Sequence, residues 1–185
     1  MGIEVHPDGL VCLLSEADIQ ARIRELAVEI SQDYNGDSLL AIGILNGAVL
    51  FLADLVRQID IPLEYDFVGF RSYNGSVSNG PLEVTKRLKA DVNGKRVLIV
   101  EDIIDTGRTL CESCLVDALI EKGAVDVRLC SLLDKPTHRT HHVDIHYTGF
   151  VIADKFVVGY GLDYDGLYRN LPYIGCYEVE PEELE

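Results

Sequence analysis

Unbroken apolar runs separated by amphipathic stretches set the rhythm of this chain. Leu39-Leu40-Ala41-Ile42-Gly43-Ile44-Leu45 and Val97-Leu98-Ile99-Val100 carry no polar residue. Such runs predict strands buried on both faces, as in a parallel sheet. Val125 to Leu133 reads the same way, and Leu63 to Phe70 is a fourth candidate with some alternation. Between them lie helical periods. Ile19, Ile23, Leu26, Ala27 and Ile30 recur at helical spacing after Ser15, a cap residue with Asp18 in the first turn, and Gly36 follows the end. Ala48 to Ile59 predicts a second helix, ended by Pro62. Leu110, Cys114, Ala118 and Leu119 predict a third, closing near Lys122-Gly123. Strands alternating with helices imply one α/β domain with a mainly parallel sheet.

The remaining segments are shorter. Residues 1–14 read as an extended lead-in and 82–90 as a short strand. Phe150 to Ala153 and Phe156 to Tyr160 read as two more, and the acidic tail from Tyr177 as frayed. Residues 71–81, Arg-Ser-Tyr-Asn-Gly-Ser-Val-Ser-Asn-Gly-Pro, have loop composition. A loop this long is a lid, a binding loop or a mobile hairpin tip.

The chemistry gathers where the strand from Val97 stops, at Glu101-Asp102-Ile103-Ile104-Asp105-Thr106-Gly107-Arg108-Thr109. Ligands of open α/β sheets bind outside the carboxyl ends of strands. A turn opening a helix offers unsatisfied N–H groups and the positive end of the helix dipole. Thr106-Gly107-Arg108-Thr109 adds two hydroxyls and a glycine that lets a ligand approach, which makes a phosphate cradle. It is neither a Walker A loop nor Gly-x-Gly-x-x-Gly. Beside it, Glu101 and Asp102 suit ribose hydroxyls; by themselves they read equally as carboxylates solvated at a strand end.

Charge sharpens this picture. The net charge of −15 argues against nucleic acid, which needs clustered Lys and Arg. A polyphosphate substrate would need local chemistry, a metal ion included, because the overall field repels anions. No apolar run approaches membrane-spanning length and no signal-peptide pattern opens the chain, so a cytoplasmic protein is expected. The five cysteines, mostly in apolar runs, fit buried thiols in a reducing compartment. Cys111-x-x-Cys114 reads as two small residues on a helix rather than a redox or zinc site. His138, His141, His142 and His146 fit a solvated loop or a metal site. Ile104-Asp105-Thr106-Gly107 contains the Asp-Thr-Gly of aspartic proteases, but those need two such aspartates on a β fold.

Taken whole, Val97 to Thr109 resembles the phosphoribosyl pyrophosphate motif of the type I phosphoribosyltransferases, with Arg108 where many members carry Lys. Four further motifs are similar to the 6-oxopurine branch of that family: Gly43 to Ala48, Ser72-Tyr73, Lys135 after a strand, and Lys155 to Tyr164 with Tyr168 to Gly175. The resemblance covers roughly residues 10–178. It implies a central twisted sheet flanked by helices, with a small hood built from the two ends of the chain. The core would span roughly 36–150, the hood roughly 1–14 and 151–178, and the tail 179–185. It implies transfer of a phosphoribosyl group from phosphoribosyl pyrophosphate to a 6-oxopurine, with Mg2+, by a homodimer or homotetramer. A xanthine-preferring enzyme and a purine-responsive RNA-binding regulator are the alternatives on the same fold.

Roles follow from the resemblance residue by residue. Asp105 matches the proton acceptor at purine N7, where a bare helix cap is the plainer reading. Lys135 matches the donor to the 6-oxo group; otherwise it is a surface lysine. Phe156 matches the ring stacked on the base, otherwise a core residue. Val157 matches a main-chain contact to the base, with Lys155 beside it in the same motif. Glu101, Asp102 and Asp163 match the ribose- and magnesium-associated carboxylates, and Arg169 a pyrophosphate ligand, otherwise a surface ion pair. Ile103, Ile104, Thr106, Gly107 and Thr109 belong to the motif's main chain and hydroxyls. Residues 71–81, with Ser72 and Tyr73, match a closing loop that keeps water from the reacting carbon. Asn46-Gly47 matches the pyrophosphate loop, often with a cis peptide, but the family usually has Lys or Arg where Asn46 stands.

Overall fold

The computed structural model describes residues 9–72 and 82–177. Its centre is a six-stranded sheet of β2 (Leu39–Leu45), β3 (Leu63–Ser72), β4 (Leu82–Lys86), β5 (Arg96–Ile104), β6 (Asp126–Asp134) and β7 (Tyr147–Val151), in the order β4-β3-β2-β5-β6-β7. All neighbours are parallel except β3 and β4. The apolar runs are buried on both faces because each face meets its own core. Leu98 and Val100 join Ile19, Ile23, Leu26 and Phe51 on one side. Val97 and Ile99 join Leu40, Ile42, Leu115 and Leu119 on the other.

Helix α1 (Glu16–Asp33) starts at a full capping box: the Ser15 hydroxyl accepts from Asp18 N–H at 3.2 Å, and the Asp18 carboxylate accepts from Ser15 N–H at 3.3 Å. Such a cap contributes about 1 kcal/mol. Helix α2 (Val49–Val56) follows β2 and buries Phe51, Leu52 and Leu55. The expected third helix is two pieces, α3 (Arg108–Ser113) and α4 (Leu115–Glu121), joined by Cys114 at φ 48°. Continuous winding would turn Cys114 inward. The left-handed residue instead turns Leu115 and Leu119 onto the sheet and leaves Cys111 and Cys114 exposed. The larger apolar side chains take the core, so the two thiols are surface groups; Cys130 and Cys176 are the buried ones.

A second sheet joins the ends of the described chain. β1 (Leu10–Leu14) pairs antiparallel with β9 (Ile174–Tyr177), which pairs with β8 (Val157–Val158). Residues 10–14 of the expected lead-in are thus a paired strand, residues 1–8 lie outside the described residues, and β9 is a strand that no local pattern announced. β8 is shorter than the run Phe156 to Tyr160, because Gly159, Tyr160 and Gly161 all have positive φ and leave the extended region. β4 stops at Lys86, short of residue 90.

The strand order places a switch point beside β2: the chain moves from β2 to β3 on one side and resumes at β5 on the other. The crevice between the carboxyl ends of β2 and β5 is where such sheets hold ligands.

Candidate active site

Three segments meet in that crevice. A Cβ on Gly47 would overlap both carboxylate oxygens of Asp102, the farther at 2.9 Å. A Cβ on Gly161, at φ +102°, would overlap the Gly47 carbonyl, with the carbonyl carbon at 3.1 Å. The end of β5, through the Asp102 side chain, the loop after β2 and the segment after β8 therefore meet closely at two glycines. Asn46 is exposed at the tip of this loop, and the Leu45–Asn46 peptide is cis.

β5 does not stop at the carboxylates but runs through them to Ile104, because β6 continues to pair with it, Glu101 opposite Ser131 and Ile104 opposite Asp134. Adjacent strand residues point to opposite faces. Asp102 turns to Gly47, while Glu101 lines the cleft of the following loop. Both are buried. Glu101 Oε2 has no hydrogen-bond partner among the described residues, and burial, then the nearby Asp102 charge, pushes its pKa well up. Burial also lifts Asp102, to about 6, against the Ile103 N–H and the Arg169 charge, which pull it down. Two buried carboxyls short of positive charge are where a cation or a hydroxyl-rich ligand gains most.

Asp163 and Arg169 stand close enough to Asp102 to influence its charge. They pair with each other at 2.6 Å. Arg169 Nη1 also donates to Gly161 O at 2.6 Å, and Asp163 accepts from Gly166 N–H at 2.8 Å. Among the described residues no group of three His, Cys, Asp or Glu side chains converges on a metal-sized site. Glu101, Asp102 and Asp163 thus do not form a ready ligand set, and two of the histidines have local partners. His146 Nδ1 accepts from Leu129 N–H at 3.2 Å, and His142 pairs with Asp144 at 2.9 Å.

Asp105 to Thr109 wrap a cleft of about 190 Å³ with Glu101 on its wall. Gly107 has φ +77°, and a Cβ there would stand 2.7 Å from His141 O, so only glycine fits. The loop is braced from behind. Thr140 and His141 N–H groups donate to Thr106 O at 3.1 and 3.0 Å. Arg139 Nε donates to Asp105 O at 3.1 Å, and its Nη2 to Ile104 O at 3.3 Å and to the Asp134 carboxylate. Arg139 lies in the stretch that reads only as polar and histidine-rich. Its role appears only once β5 and β6 end side by side.

That register also delivers Lys135. Its N–H donates to Ile104 O at 2.9 Å, the residue is buried, and Nζ lies 4.0 Å from Asp105 Oδ2. A buried ammonium beside a carboxylate is a different thing from a solvated surface lysine. Downstream, Phe156 is half-buried and meets the Tyr164 ring edge-to-face at 5.5 Å. Val157 is buried in β8, and Lys155 is exposed. Ser72 ends β3; Tyr73 and the rest of the expected closing loop to residue 81, like the acidic tail, lie outside the described residues.

A parallel sheet with a phosphate-sized loop after one strand and a lysine–aspartate pair beside it defines a nucleotide- or sugar-phosphate-handling α/β protein. The phosphoribosyl transferase domain model matches residues 13–165, and the chain belongs to that family. Within the family, it is 46% identical over 164 residues to the hypoxanthine-guanine phosphoribosyltransferase of Bacillus subtilis, covering 88% of this chain and 90% of that one. It is 49% identical over 177 residues to the bifunctional protein TilS/HprT of Listeria innocua; the match covers 95% of this chain but 27% of that longer protein. A crystal structure of a hypoxanthine phosphoribosyltransferase from Staphylococcus aureus superposes with a TM-score of 0.87, at 41% identity over 96% of each chain.

Proposed function

We propose that this chain is a purine-salvage enzyme. It transfers the 5-phosphoribosyl group of phosphoribosyl pyrophosphate to N9 of hypoxanthine, guanine or both, giving IMP or GMP and pyrophosphate. The observation that carries the reading is the buried Lys135 ammonium 4.0 Å from Asp105, beside a braced glycine loop. As the bond from ribose C1 to pyrophosphate breaks, N9 bonds to C1 and the purine N7 proton passes to Asp105. A positioned base of this kind contributes about 10²- to 10⁴-fold. Lys135 donates to the 6-oxo group, which a 6-amino group cannot accept. Phe156, held by Tyr164, covers the base; Val157 offers its main chain to the base edge, with Lys155 at the rim.

Thr106, Gly107, Arg108 and Thr109 hold the 5-phosphate, with Ile103 and Ile104 fixing the strand end, and Glu101 and Asp102 take the ribose hydroxyls. Asn46-Gly47 and Arg169 take pyrophosphate, and the loop carrying Ser72 and Tyr73 closes over it. Mg2+ fits the acidic crevice, since Glu101 presents a buried oxygen without a partner and magnesium favours one or two carboxylates together with substrate oxygens. In this reading Glu101, Asp102 and Asp163 would each reach the ion separately, through water and substrate oxygens rather than as one converged set, and a bound ion would supply positive charge against the negative charge gathering on the departing pyrophosphate. The β1-β9-β8 sheet is the hood of a single domain. We place the enzyme in the cytoplasm as a homodimer or homotetramer; no helix among the described residues is long and apolar enough to cross a membrane.

Calorimetric titration tests the base assignment. IMP or GMP should bind more tightly than AMP by roughly tenfold or more, the worth of a hydrogen bond to a charged group, and Lys135→Met should abolish the preference. Equal binding of all three by the unaltered protein contradicts the assignment.

A further inference from the structure

The segment that roofs the crevice is bent in an uncommon way. Gly159, Tyr160 and Gly161 have φ of +100°, +48° and +102° in succession. The outer two are glycines with no room for a side chain: a Cβ on Gly159 would overlap Tyr173 O, and one on Gly161 would overlap Gly47 O. The middle residue is a bulky tyrosine in the left-handed region, a conformation that persists only when its surroundings over-determine it. Main-chain bonds hold it, Tyr160 N–H donating to Leu171 O at 2.9 Å, and so does a part-buried polar contact across the molecule. Tyr160 is 4% exposed, and its hydroxyl donates to Asp54 Oδ2 at 2.5 Å. Asp54 also accepts from Gln20 Nε2 of α1 at 2.7 Å and pairs with Arg57. Burial alone would raise the Asp54 carboxyl, but the bonds from Tyr160, Gln20 and Arg57 outweigh it and hold it below its ordinary pKa. The acceptor is therefore a carboxylate, and a bond to a charged acceptor is among the stronger ones.

The two ends of this bond belong to opposite halves of the site. Asp54 sits on α2, which grows directly out of the Asn46-Gly47 loop: Val49 N–H donates to Asn46 O at 3.3 Å, and Leu52 N–H to Ala48 O at 2.8 Å. Tyr160 lies between β8, with Phe156 and Val157, and the Asp163–Arg169 pair. Its backbone neighbours are tied to that pair, Gly161 N–H donating to Arg169 O at 3.0 Å. We propose that the Tyr160–Asp54 hydrogen bond makes the purine-side segment and the pyrophosphate-side loop one mechanical unit, with Tyr160 and Asp54 as positioning residues that couple occupation of the two halves. The inference rests on the transfer reaction proposed above. In that reaction a nucleotide and pyrophosphate occupy the two halves at once, so a link between Gly161 and Gly47 is felt by both ligands.

The test is a coupling measurement. The Kd of IMP is determined without and with saturating pyrophosphate and Mg2+, and the ratio is compared among the unaltered protein, Tyr160→Phe, Asp54→Ala and the double variant, with the melting temperature of each. The unaltered protein should show a ratio above fivefold, within the usual range of site–site coupling. Tyr160→Phe keeps the ring and removes only the bond; its ratio should fall about threefold or more, toward one, with the variant still folded at the assay temperature. Asp54→Ala should match it, and the double variant should add nothing more, as expected for partners in one interaction. A ratio of one in the unaltered protein, or an unchanged ratio in Tyr160→Phe, overturns the coupling while leaving the transfer reaction standing. Failure of the unaltered protein to bind IMP overturns the reaction and the coupling together.

Discussion

Gly47→Ala isolates the contact on which the crevice depends. Gly47 has an ordinary backbone conformation, so alanine brings no strain there, and in open space it would stabilise the chain by about 0.4–1 kcal/mol by restricting the unfolded state. The structure reverses that sign. The new methyl would overlap both oxygens of Asp102, which is buried in the middle of a paired strand and has little freedom to retreat. Overpacking of this kind costs about 1–3 kcal/mol. At about 2–4 °C per kcal/mol for a chain of this size, the melting temperature should fall by about 2–12 °C. Displacing Asp102 should also raise KM for phosphoribosyl pyrophosphate about tenfold, the equivalent of about 1.4 kcal/mol. Gly36→Ala is the control. Gly36 has φ +91° with nothing within 4 Å of the added methyl, so it should lose about 1 kcal/mol of stability and leave KM unchanged. Differential scanning calorimetry and initial rates read both variants. A Gly47→Ala protein as stable as the unaltered one, with unchanged KM, would refute the account of the crevice.

Three further outcomes are expected. Asp105→Asn should lower kcat by about 10²- to 10⁴-fold while IMP affinity by calorimetry stays within a few-fold; unchanged turnover would remove Asp105 as the proton acceptor. Asn46→Lys, which restores the charge usual in the family at the loop tip, should lower KM for phosphoribosyl pyrophosphate in steady-state kinetics, and an unchanged or higher value would show that the loop works through its backbone alone. Asp66 ties β3 to the segment before β5, accepting from Lys86 Nζ at 2.7 Å and from the N–H groups of Phe67, Lys89 and Ala90. Burial works to raise its carboxyl, but these bonds hold it well below its ordinary value of 3.8. Its stabilisation is therefore complete above pH 4 and is lost as pH falls below that value. Asp66→Asn should cost about 1–3 kcal/mol in urea unfolding at pH 7, with the gap closing in acid; a gap independent of pH would contradict this.

The parts of the fold legible in the sequence were those governed by local period and by capping. Ser15 and the Ile19 to Ile30 spacing place α1, and the unbroken runs place β2 and β5, because burial on both faces leaves no polar positions. What escaped was set by contacts distant in sequence. β9 exists because β1 and β8 pair with it from more than 150 and fewer than 20 residues away, respectively. β5 extends through Glu101 and Asp102 because β6 supplies hydrogen bonds that outweigh the cost of burying acids in a strand. The turn at Cys114 follows from which side chain reaches the sheet, which helical spacing alone does not decide.

The site divided along the same line. The motifs from Gly43, Val97, Lys135 and Lys155 carried their residue types in plain view, and the structure brings Asp105 beside Lys135 and Asp102 beside Gly47. It does not gather Glu101, Asp102 and Asp163 around one point, since alternation along β5 turns the first two to opposite faces and Asp163 is paired with Arg169. Arg139 and Tyr160 act through main-chain carbonyls and through a distant carboxylate. Neither relation leaves a local signature.

The central claim is tested most directly by following nucleotide formation spectrophotometrically with phosphoribosyl pyrophosphate, Mg2+ and, in turn, hypoxanthine, guanine, xanthine and adenine. The account predicts turnover with hypoxanthine, guanine or both, loss of turnover when the metal is chelated, and none with adenine. Absence of nucleotide with every 6-oxopurine, or a preference for adenine, would contradict it.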